Sequence, residues 1–298
     1  KKEHQEIPKS ISKLAKFKSN LREFSVQLLS GGTAGVVSKT MTAPLERIKV
    51  ILQVQAMNSE IPEKDRYKGI LDAAVRIPRD SGFFSFWRGN GANVARIIPN
   101  AAIKFTMYDV YKKLLLPKGE NGYSGADKII RKLASGGLSG ATTLTLTYPM
   151  DFARTRLTAD TAKEKKYSGL FDCIMKTAKQ EGPLTLYKGV GISLMGIIPY
   201  LALSFASNDT LSQMFLKKKD SNPKLEIFKQ LGVGCAAGIF SQSATYPFDT
   251  IRRRMQMDGM GGKKKQYNGT MDCIMKMYQK EGMKSFYKGI LANAVRSI

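Results

Sequence analysis

Long stretches with almost no charged side chains alternate with polar, glycine-containing segments along this chain of 298 residues. Residues 133–150 and 231–248 contain no charged side chain, and residues 24–43 contain a single one, Lys39. Each run, together with its flanks, is long enough for a helix that crosses a bilayer. The hydrophobic pattern therefore predicts an all-α membrane protein.

Each of these runs contains two glycines four residues apart. The pairs are Gly31 and Gly35, Gly136 and Gly140, and Gly234 and Gly238. Small residues at this spacing allow the backbones of membrane helices to approach closely. We therefore expect the glycine pairs at tight helix contacts.

The whole pattern recurs three times with a period of about one hundred residues. An aromatic-basic-glycine triplet occupies positions 87–89, 187–189 and 287–289. Such self-similarity indicates tandem structural repeats. We predict repeats at 23–122, 123–222 and 223–298, the last one incomplete, after a basic tail at 1–22. The tail matches a cleaved targeting segment only weakly and is expected to be mobile.

A proline ends each apolar run, with an acid two residues later and a base three residues after that. Pro44, Pro149 and Pro247 each remove a backbone donor and predict a kinked helix. In a threefold arrangement, each acid would meet the base of a neighbouring helix and close one end of a bundle. This predicted ion-pair ring consists of Glu46, Lys49, Asp151, Arg154, Asp249 and Arg252.

A second structural unit follows each proline motif. The segments 69–79, 169–180 and 269–280 have helical apolar spacing, which predicts helices lying at the membrane interface. The triplet then opens a second long helix, at 89–116, at 189–216 and from 289 onward.

A glycine beside a base at a helix start is a candidate phosphate site. At a bilayer edge we expect a lipid headgroup, that of cardiolipin, with ordinary helix capping as the alternative. The predicted lipid-binding residues are Trp87, Arg88, Gly89, Tyr187, Lys188, Gly189, Tyr287, Lys288 and Gly289.

The charge balance indicates an anionic partner. The chain contains 48 Lys and Arg against 24 Asp and Glu, a formal net charge of +24. No nucleic-acid recognition module accompanies this charge, and the apolar runs argue against a soluble nucleic-acid binder. The chain has one histidine, His4, and its three cysteines lack metal-ligand spacing. We therefore expect neither an enzyme nor a metal or cofactor protein.

Four charges in the predicted membrane helices lie away from the ring and indicate a solute site. They are Lys39, Arg96, Lys104 and Arg296, and such a set suits a di- or triphosphate. Gly196 occupies the position equivalent to Arg96 and Arg296. Its missing side chain would leave room for a flat body such as adenine against Ile197 and Tyr200.

Three repeats of Pro-x-acid-x-x-base followed by aromatic-basic-glycine resemble the mitochondrial carrier family over residues 24–298. The resemblance implies six tilted transmembrane helices around a water-filled cavity in the mitochondrial inner membrane, and transport by alternating access with the ring as the matrix gate. It also implies that a glutamine four residues after the base braces the gate. Gln53 and Gln256 occupy that position, whereas Thr158 does not.

Within that family, residues 38–40, 93–96 and 293–296 resemble ADP/ATP carriers. The resemblance implies phosphate binding by Lys39, Arg96 and Arg296, and adenine binding by Gly196, Ile197 and Tyr200. Residues 252–257 read Arg-Arg-Arg-Met-Gln-Met, where those carriers have three arginines and three methionines. Other segments look like coenzyme A carriers (196–200 and 252–256) or ATP-Mg/phosphate carriers (87–91 and 102–105).

Two features depart from the family pattern. The cytoplasmic gate, an aromatic-acid-x-x-base element, is present with Asp109 and Lys112, but Asp209 has Ser212 in place of its base. The sequence also ends at Ile298, within the predicted sixth helix. These departures favour the alternative, a carrier-fold accessory subunit of a respiratory complex with little or no transport. From the resemblance as a whole we expect an adenine-nucleotide exchanger that binds cardiolipin.

Overall fold

The computed structural model describes residues 9–57, 62–117, 122–123, 125–161, 166–216, 223–262 and 265–297. Within these residues the secondary structure is helical, with no strand. The first repeat contains α1 (Lys9–Val54), α2 (Ile70–Ser81), α3 (Asn90–Ala95) and α4 (Ile97–Leu115). The second contains α5 (Gly125–Ala159), α6 (Leu170–Glu181) and α7 (Val190–Phe215), and the third contains α8 (Pro223–Ala244), α9 (Tyr246–Met257), α10 (Thr270–Glu281) and α11 (Ile290–Ser297).

The long helices form a closed ring of neighbours. The second long helix of each repeat packs against the first helix of the next, so that α4 lies on α5, α7 on α8, and α11 on α1. At one end the segments after the prolines converge, because α1, α5 and α9 all contact one another. This arrangement brings the three proline motifs to the same end of the bundle.

The prolines disturb their helices to different extents. Pro44 lies inside α1 and Pro149 inside α5, whereas the third helix is interrupted at Thr245, just before Pro247, and continues as α9. A second interruption, at Arg96, separates α3 from α4. Each proline lacks a backbone N–H, so one carbonyl of the preceding turn loses its usual helical donor.

The predicted interfacial segments form α2, α6 and α10. Their inner faces are buried, as at Ala73 and Ile77 of α2. Their outer faces expose large apolar side chains four residues apart, namely Leu71 and Val75, Phe171 and Met175, and Met271 and Met275. Helices that are apolar on the outside as well as the inside suit a membrane interface.

The segment predicted as a basic tail, 1–22, is helical from Lys9 onward. Residues 9–22 belong to α1, and residues 1–8 lie outside the described part of the chain. No glycine or proline occurs between Lys9 and Ser30, so nothing in this stretch interrupts the propagation of α1 toward its N-terminus.

The glycine pairs do not lie at tight helix contacts, which corrects that prediction. A Cβ added at Gly31, Gly136 or Gly234 would meet no atom within 4 Å. A Cβ at Gly35 would meet Ile97 at an ordinary 3.6 Å. Gly140 lines the central cavity, where the missing side chain leaves open space instead of bringing two backbones together.

Judged by length and composition alone, one helical stretch in the described residues, Pro183–Phe215, could cross a membrane. The runs at 24–43, 133–150 and 231–248 have a lower mean hydropathy than this stretch, because they are rich in serine, threonine and glycine. Several of these polar residues have a place inside the bundle, since Ser135, Ser139 and Thr143 of α5 are buried.

Candidate functional site

A cavity of about 550 Å³ lies within the bundle and ends at the converging proline motifs. Its wall contains eight basic and three acidic side chains, an excess of five positive charges. These residues are Lys39, Glu46, Lys49, Arg96, Lys104, Asp151, Arg154, Asp249, Arg252, Arg253 and Arg296. The predicted solute-binding charges and the predicted ring residues therefore share one space.

The six ring residues form three ion pairs, and each pair joins two different repeats. Lys49 Nζ lies 2.7 Å from Asp249 Oδ2, and Arg252 Nη2 lies 2.5 Å from Asp151 Oδ2. Arg154 pairs with Glu46. Asp151 is 3% exposed and Arg154 is 9% exposed, so losing one partner would leave a charge poorly solvated.

Side-chain amides complete the hydrogen bonding of the ring carboxylates. Gln53 Nε2 donates to Asp249 Oδ2 at 3.3 Å, and Gln256 Nε2 donates to Asp151 Oδ2 at 3.1 Å. Both glutamines are fully buried. The third carboxylate, that of Glu46, accepts a hydrogen bond from Asn93 Nδ2 at 3.3 Å. Asn93 thus supplies the amide donor for the Arg154–Glu46 pair, where Thr158 occupies the position of a bracing glutamine.

Arg253, Asn93 and Asn293 also belong to this network and were not predicted as site residues. Arg253 Nη1 donates to Thr155 Oγ1 at 2.5 Å, and its guanidinium lies 3.6 Å from both Asp151 and Asp249. Asn293 Oδ1 accepts a hydrogen bond from Lys49 Nζ at 2.9 Å. The sequence contained a signal for the asparagines, because Asn93 and Asn293 occupy equivalent positions in two repeats.

The predicted phosphate-binding arginines also contact the ring. Arg96 Nη1 lies 2.9 Å from Asp151 Oδ1, and Arg296 Nη1 lies 3.8 Å from Glu46 Oε1. Lys39 lines the cavity and is partly buried, whereas Lys104 is exposed. An anion that attracted both arginines would therefore compete directly with two of the three ring carboxylates.

The predicted adenine site needs one correction. The space beside Gly196 is filled by Phe248, since an added Cβ would lie 3.1 Å from Phe248 Cβ. Room for a flat ring lies next to it, in a cavity of about 190 Å³. Gly196, Ile197, Tyr200 and Phe248 all line this smaller cavity, which shares Ile197 and Tyr200 with the larger one.

The triplet glycines (Gly89, Gly189 and Gly289) have φ angles of +84°, +85° and +85° and precede α3, α7 and α11. They are also close-contact positions. A Cβ at Gly89 would lie 2.5 Å from Thr158 Oγ1, and one at Gly289 would lie 3.0 Å from Tyr246 Oη. Both observations support the capping alternative, in which glycine is needed for the turn itself.

The bases of the triplets contact protein groups. Arg88 donates to the carbonyl of Asp160 at 3.1 Å, Lys188 pairs with Asp258 at 2.9 Å, and Lys288 pairs with Glu281 at 2.8 Å. The aromatic members are also engaged. Trp87 donates to the carbonyl of Thr40, Tyr187 stacks on Tyr148, and Tyr287 stacks on Tyr246.

The predicted cytoplasmic gate is not assembled in this conformation. Asp109 on α4 and Asp209 on α7 are exposed, and among the described residues no ion pair joins either acid to a base. Lys112, one turn after Asp109, is partly buried. The bundle is therefore closed by ion pairs at the proline end.

Comparison with known proteins identifies the family. A family model described as "Mitochondrial carrier protein" matches residues 21–119, 125–219 and 223–298. The chain belongs to the mitochondrial carrier family. The three-repeat, all-α fold of this carrier is the fold predicted from the sequence.

The carrier is also similar to individual proteins along most of its length. It is 46% identical to ADP/ATP translocase 4 of Macaca fascicularis over 98% of this chain and 92% of that protein. It is 47% identical to ADP/ATP translocase 4 of Homo sapiens, over 92% and 86% of the two chains. It is 42% identical to ADP/ATP translocase 3 of Homo sapiens, over 92% of each. These relatives do not favour the respiratory-subunit alternative.

Proposed function

We propose that this carrier exchanges ADP and ATP across the mitochondrial inner membrane by alternating access. The observation that carries the proposal is the excess of five positive charges in the wall of the central cavity. Nucleoside di- and triphosphates carry several negative charges, and guanidinium groups bind phosphate oxygens through paired hydrogen bonds. The names of the similar translocases agree with this class of solute.

The proposed phosphate ligands are Lys39, Arg96 and Arg296, with Lys104 nearer the open end. Arg96 and Arg296 lie against Asp151 and Glu46. When phosphate oxygens bind these arginines, the two carboxylates lose part of their electrostatic stabilisation. The free energy of solute binding thereby offsets the cost of separating the ion-pair ring, as differential binding to two states requires.

We assign the adenine ring to the smaller cavity beside Tyr200. An aromatic side chain on one wall and Ile197 on another provide apolar contact for a flat base. Gly196 contributes by admitting Phe248 to this wall. In this proposal, the carrier holds the two ends of a nucleotide at two separate parts of one continuous space.

We infer a multi-pass location in the inner membrane, with the ring on the matrix side. Since the triplet bases contact protein groups, we assign acidic phospholipid, cardiolipin, to the backbone N–H groups at the starts of the helices that follow the triplets. The exposed apolar faces of α2, α6 and α10 support an interfacial position for these helices. Removal of cardiolipin should lower the unfolding temperature of the purified carrier, and its re-addition should restore it. A carrier indifferent to cardiolipin would contradict the lipid assignment alone.

The test of the main proposal is exchange by purified carrier in liposomes. Liposomes loaded with ATP should take up labelled ADP, and unloaded liposomes should not. Arg96→Gln and Arg296→Gln should each reduce the exchange rate at least about tenfold, in line with a charge-assisted hydrogen bond of about 1.5–3 kcal/mol. The matched control is Arg131→Gln on α5, an arginine outside the cavity wall, which should leave exchange unchanged. Wild-type carrier that moved neither ADP nor ATP would refute the proposal.

A further inference from the structure

Pro44 leaves one backbone carbonyl of α1 without its helical partner. A proline has no N–H, so the carbonyl of Thr40, four residues earlier, cannot form the usual helical hydrogen bond. The indole Nε1–H of Trp87 donates to this carbonyl at 2.9 Å. The side chain of the same threonine is also held, because Asn90 Nδ2 donates to Thr40 Oγ1 at 3.0 Å. Trp87 therefore replaces the donor that the proline removes.

In the other two repeats a hydrogen bond also joins the proline helix to the triplet, but the donor side chain lies on the proline helix and the acceptor carbonyl in the triplet. The residue before the proline is a tyrosine there, and its hydroxyl donates to a backbone carbonyl at the start of the next long helix. Tyr148 Oη lies 2.9 Å from Lys188 O, and Tyr246 Oη lies 2.9 Å from Lys288 O. The first repeat has Ala43 at this position, which offers no side-chain donor. Among the described residues, this is the only repeat in which the aromatic donor comes from the triplet.

The first repeat also lacks the ion pair by which the others tie their first helix to their interfacial helix. Arg156 pairs with Glu181 of α6, and Arg254 pairs with Glu281 of α10. The equivalent residues of the first repeat are Ile51 and Ser81, and among its described residues no ion pair joins α1 to α2. The hydrogen bond of Trp87 is thus a polar tie that this repeat has in place of a charged one.

The tie lies directly beside the ion-pair ring. Glu46 and Lys49 follow Pro44 by two and five residues on α1, and they pair with Arg154 and Asp249 of the other repeats. The direction in which α1 continues after Pro44 decides whether both side chains reach their partners. We propose that Trp87 is a positioning residue for the ring, because its indole N–H holds α1 at Pro44 in the direction that brings Glu46 and Lys49 to their partners. The role of Trp87 in positioning the ring does not depend on the proposed function. Only the consequence of that positioning for transport rests on it.

The first experiment is a double-mutant cycle on thermal unfolding of the purified carrier. Trp87→Phe keeps an aromatic ring and removes the N–H, and Glu46→Gln removes one charge of the ring. Trp87→Phe should lower the unfolding midpoint by about 2–4 °C, the shift expected for one hydrogen bond in a chain of this size. In the Glu46→Gln background the same change should lower it by measurably less than in the wild type, because the hydrogen bond is still lost but the Glu46–Arg154 pair is already broken.

Tyr187→Phe is the matched control. Tyr187 occupies the equivalent position in the second repeat, and among the described residues its hydroxyl has no hydrogen bond. Its removal should shift the midpoint by less than about 1 °C in either background. Equal shifts for Trp87→Phe in both backgrounds would overturn the positioning role. They would show that Trp87 contributes to stability independently of the ring.

A second variant tests the first step of the argument. Pro44→Ala restores an N–H that can pair with the carbonyl of Thr40. The shift caused by Trp87→Phe should then fall to less than half of its value with Pro44, whereas an undiminished shift would contradict the role of the indole as a replacement donor. Both cycles need no solute, so they decide the role of Trp87 even if the wild-type carrier exchanges no nucleotide.

Discussion

Glycine is required at the start of the second long helix for two separate reasons, and Gly89 shows both. Its φ of +84° lies in the left-handed region, where a Cβ is strained. Its Cα also approaches α5, and an added Cβ would meet Thr158 Oγ1 at 2.5 Å and Thr158 N at 2.9 Å. Gly82 has a similar φ of +81° but open space around it.

These two glycines form a matched pair for mutation. Gly82→Ala should cost about 1 kcal/mol of stability, the strain of the backbone alone. Gly89→Ala should cost about 2–4 kcal/mol, because overpacking adds to the same strain. Thermal unfolding of both variants in detergent checks the difference. If the two variants lost equal stability, the close approach of α5 to Gly89 would be refuted.

At this scale the sequence predicted the charged residues better than their neighbours. The acid and the base of the ring follow the proline at the same spacing in each repeat, so the sequence alone identifies all six residues. Arg253 could not be assigned in this way, because its partners Asp151 and Asp249 lie on two different helices. The role of Gly196 was misread for a similar reason, since Phe248 reaches it from the next repeat.

The interfacial helices α6 and α10 are tied to the bundle by paired arginine and glutamate side chains. Arg156 is fully buried and contacts Glu181 at 2.5 Å. Arg254 and Lys288 both contact Glu281. Burial raises the pKa of the Glu281 carboxyl, but hydrogen bonds and charge from Arg254 and Lys288 outweigh it and lower the pKa to about 2. The tie therefore persists well below neutral pH.

Replacing Glu281 should loosen α10. Glu281→Gln should lower stability by about 3 kcal/mol at pH 7, since it leaves the buried guanidinium of Arg254 without its carboxylate. Because the folded pKa lies below the ordinary value of 4.5, the contribution is complete above pH 4.5 and declines as the pH falls toward 2. Wild type and variant should converge over that interval in thermal unfolding scans.

Asp272→Asn on the same helix provides the control for this effect. Asp272 pairs with Lys276 four residues later at the surface, where such pairs contribute about 0.3–0.5 kcal/mol. If Asp272→Asn lowered stability as much as Glu281→Gln, α10 would be sensitive to any lost carboxylate. The specific role assigned to the Arg254–Glu281 pair would then be contradicted.

The elements were predicted well where apolar spacing or proline defined them. The interfacial helices and the start of each second helix follow from that spacing and from the triplets. The extension of α1 back to Lys9 was missed, because a polar, lysine-rich segment has helix propensity without an apolar period. The interruptions at Arg96 and Thr245 were missed as well, since packing within the bundle decides how far each proline disturbs its helix.

At the scale of the molecule, stability of the closed end depends most on Asp151. Its carboxylate contacts Arg252 at 2.5 Å, Arg96 at 2.9 Å and Arg253 at 3.6 Å, and it is almost fully buried. Asp151→Asn should lower stability by about 3–5 kcal/mol, because three guanidinium groups lose their shared counter-charge. Thermal unfolding and liposome exchange measure the two consequences.

The same helix contains a control for that change. Asp127 pairs with Arg131 at the surface, and its side chain is 53% exposed. Asp127→Asn should change stability by less than about 1 kcal/mol. If the two variants lost comparable stability, α5 would be sensitive to any lost carboxylate. The particular contribution of Asp151 to the ring would then be contradicted.

Each ring pair joins a different two of the three repeats, and this has a consequence for which anions could pass. If one pair separates, the other two still hold all three repeats together, so the closed end cannot widen by degrees. A small anion that reaches Arg96 alone would loosen a single link and leave the end closed. A solute long enough to engage Arg96 and Arg296 at once would loosen two links and could open it.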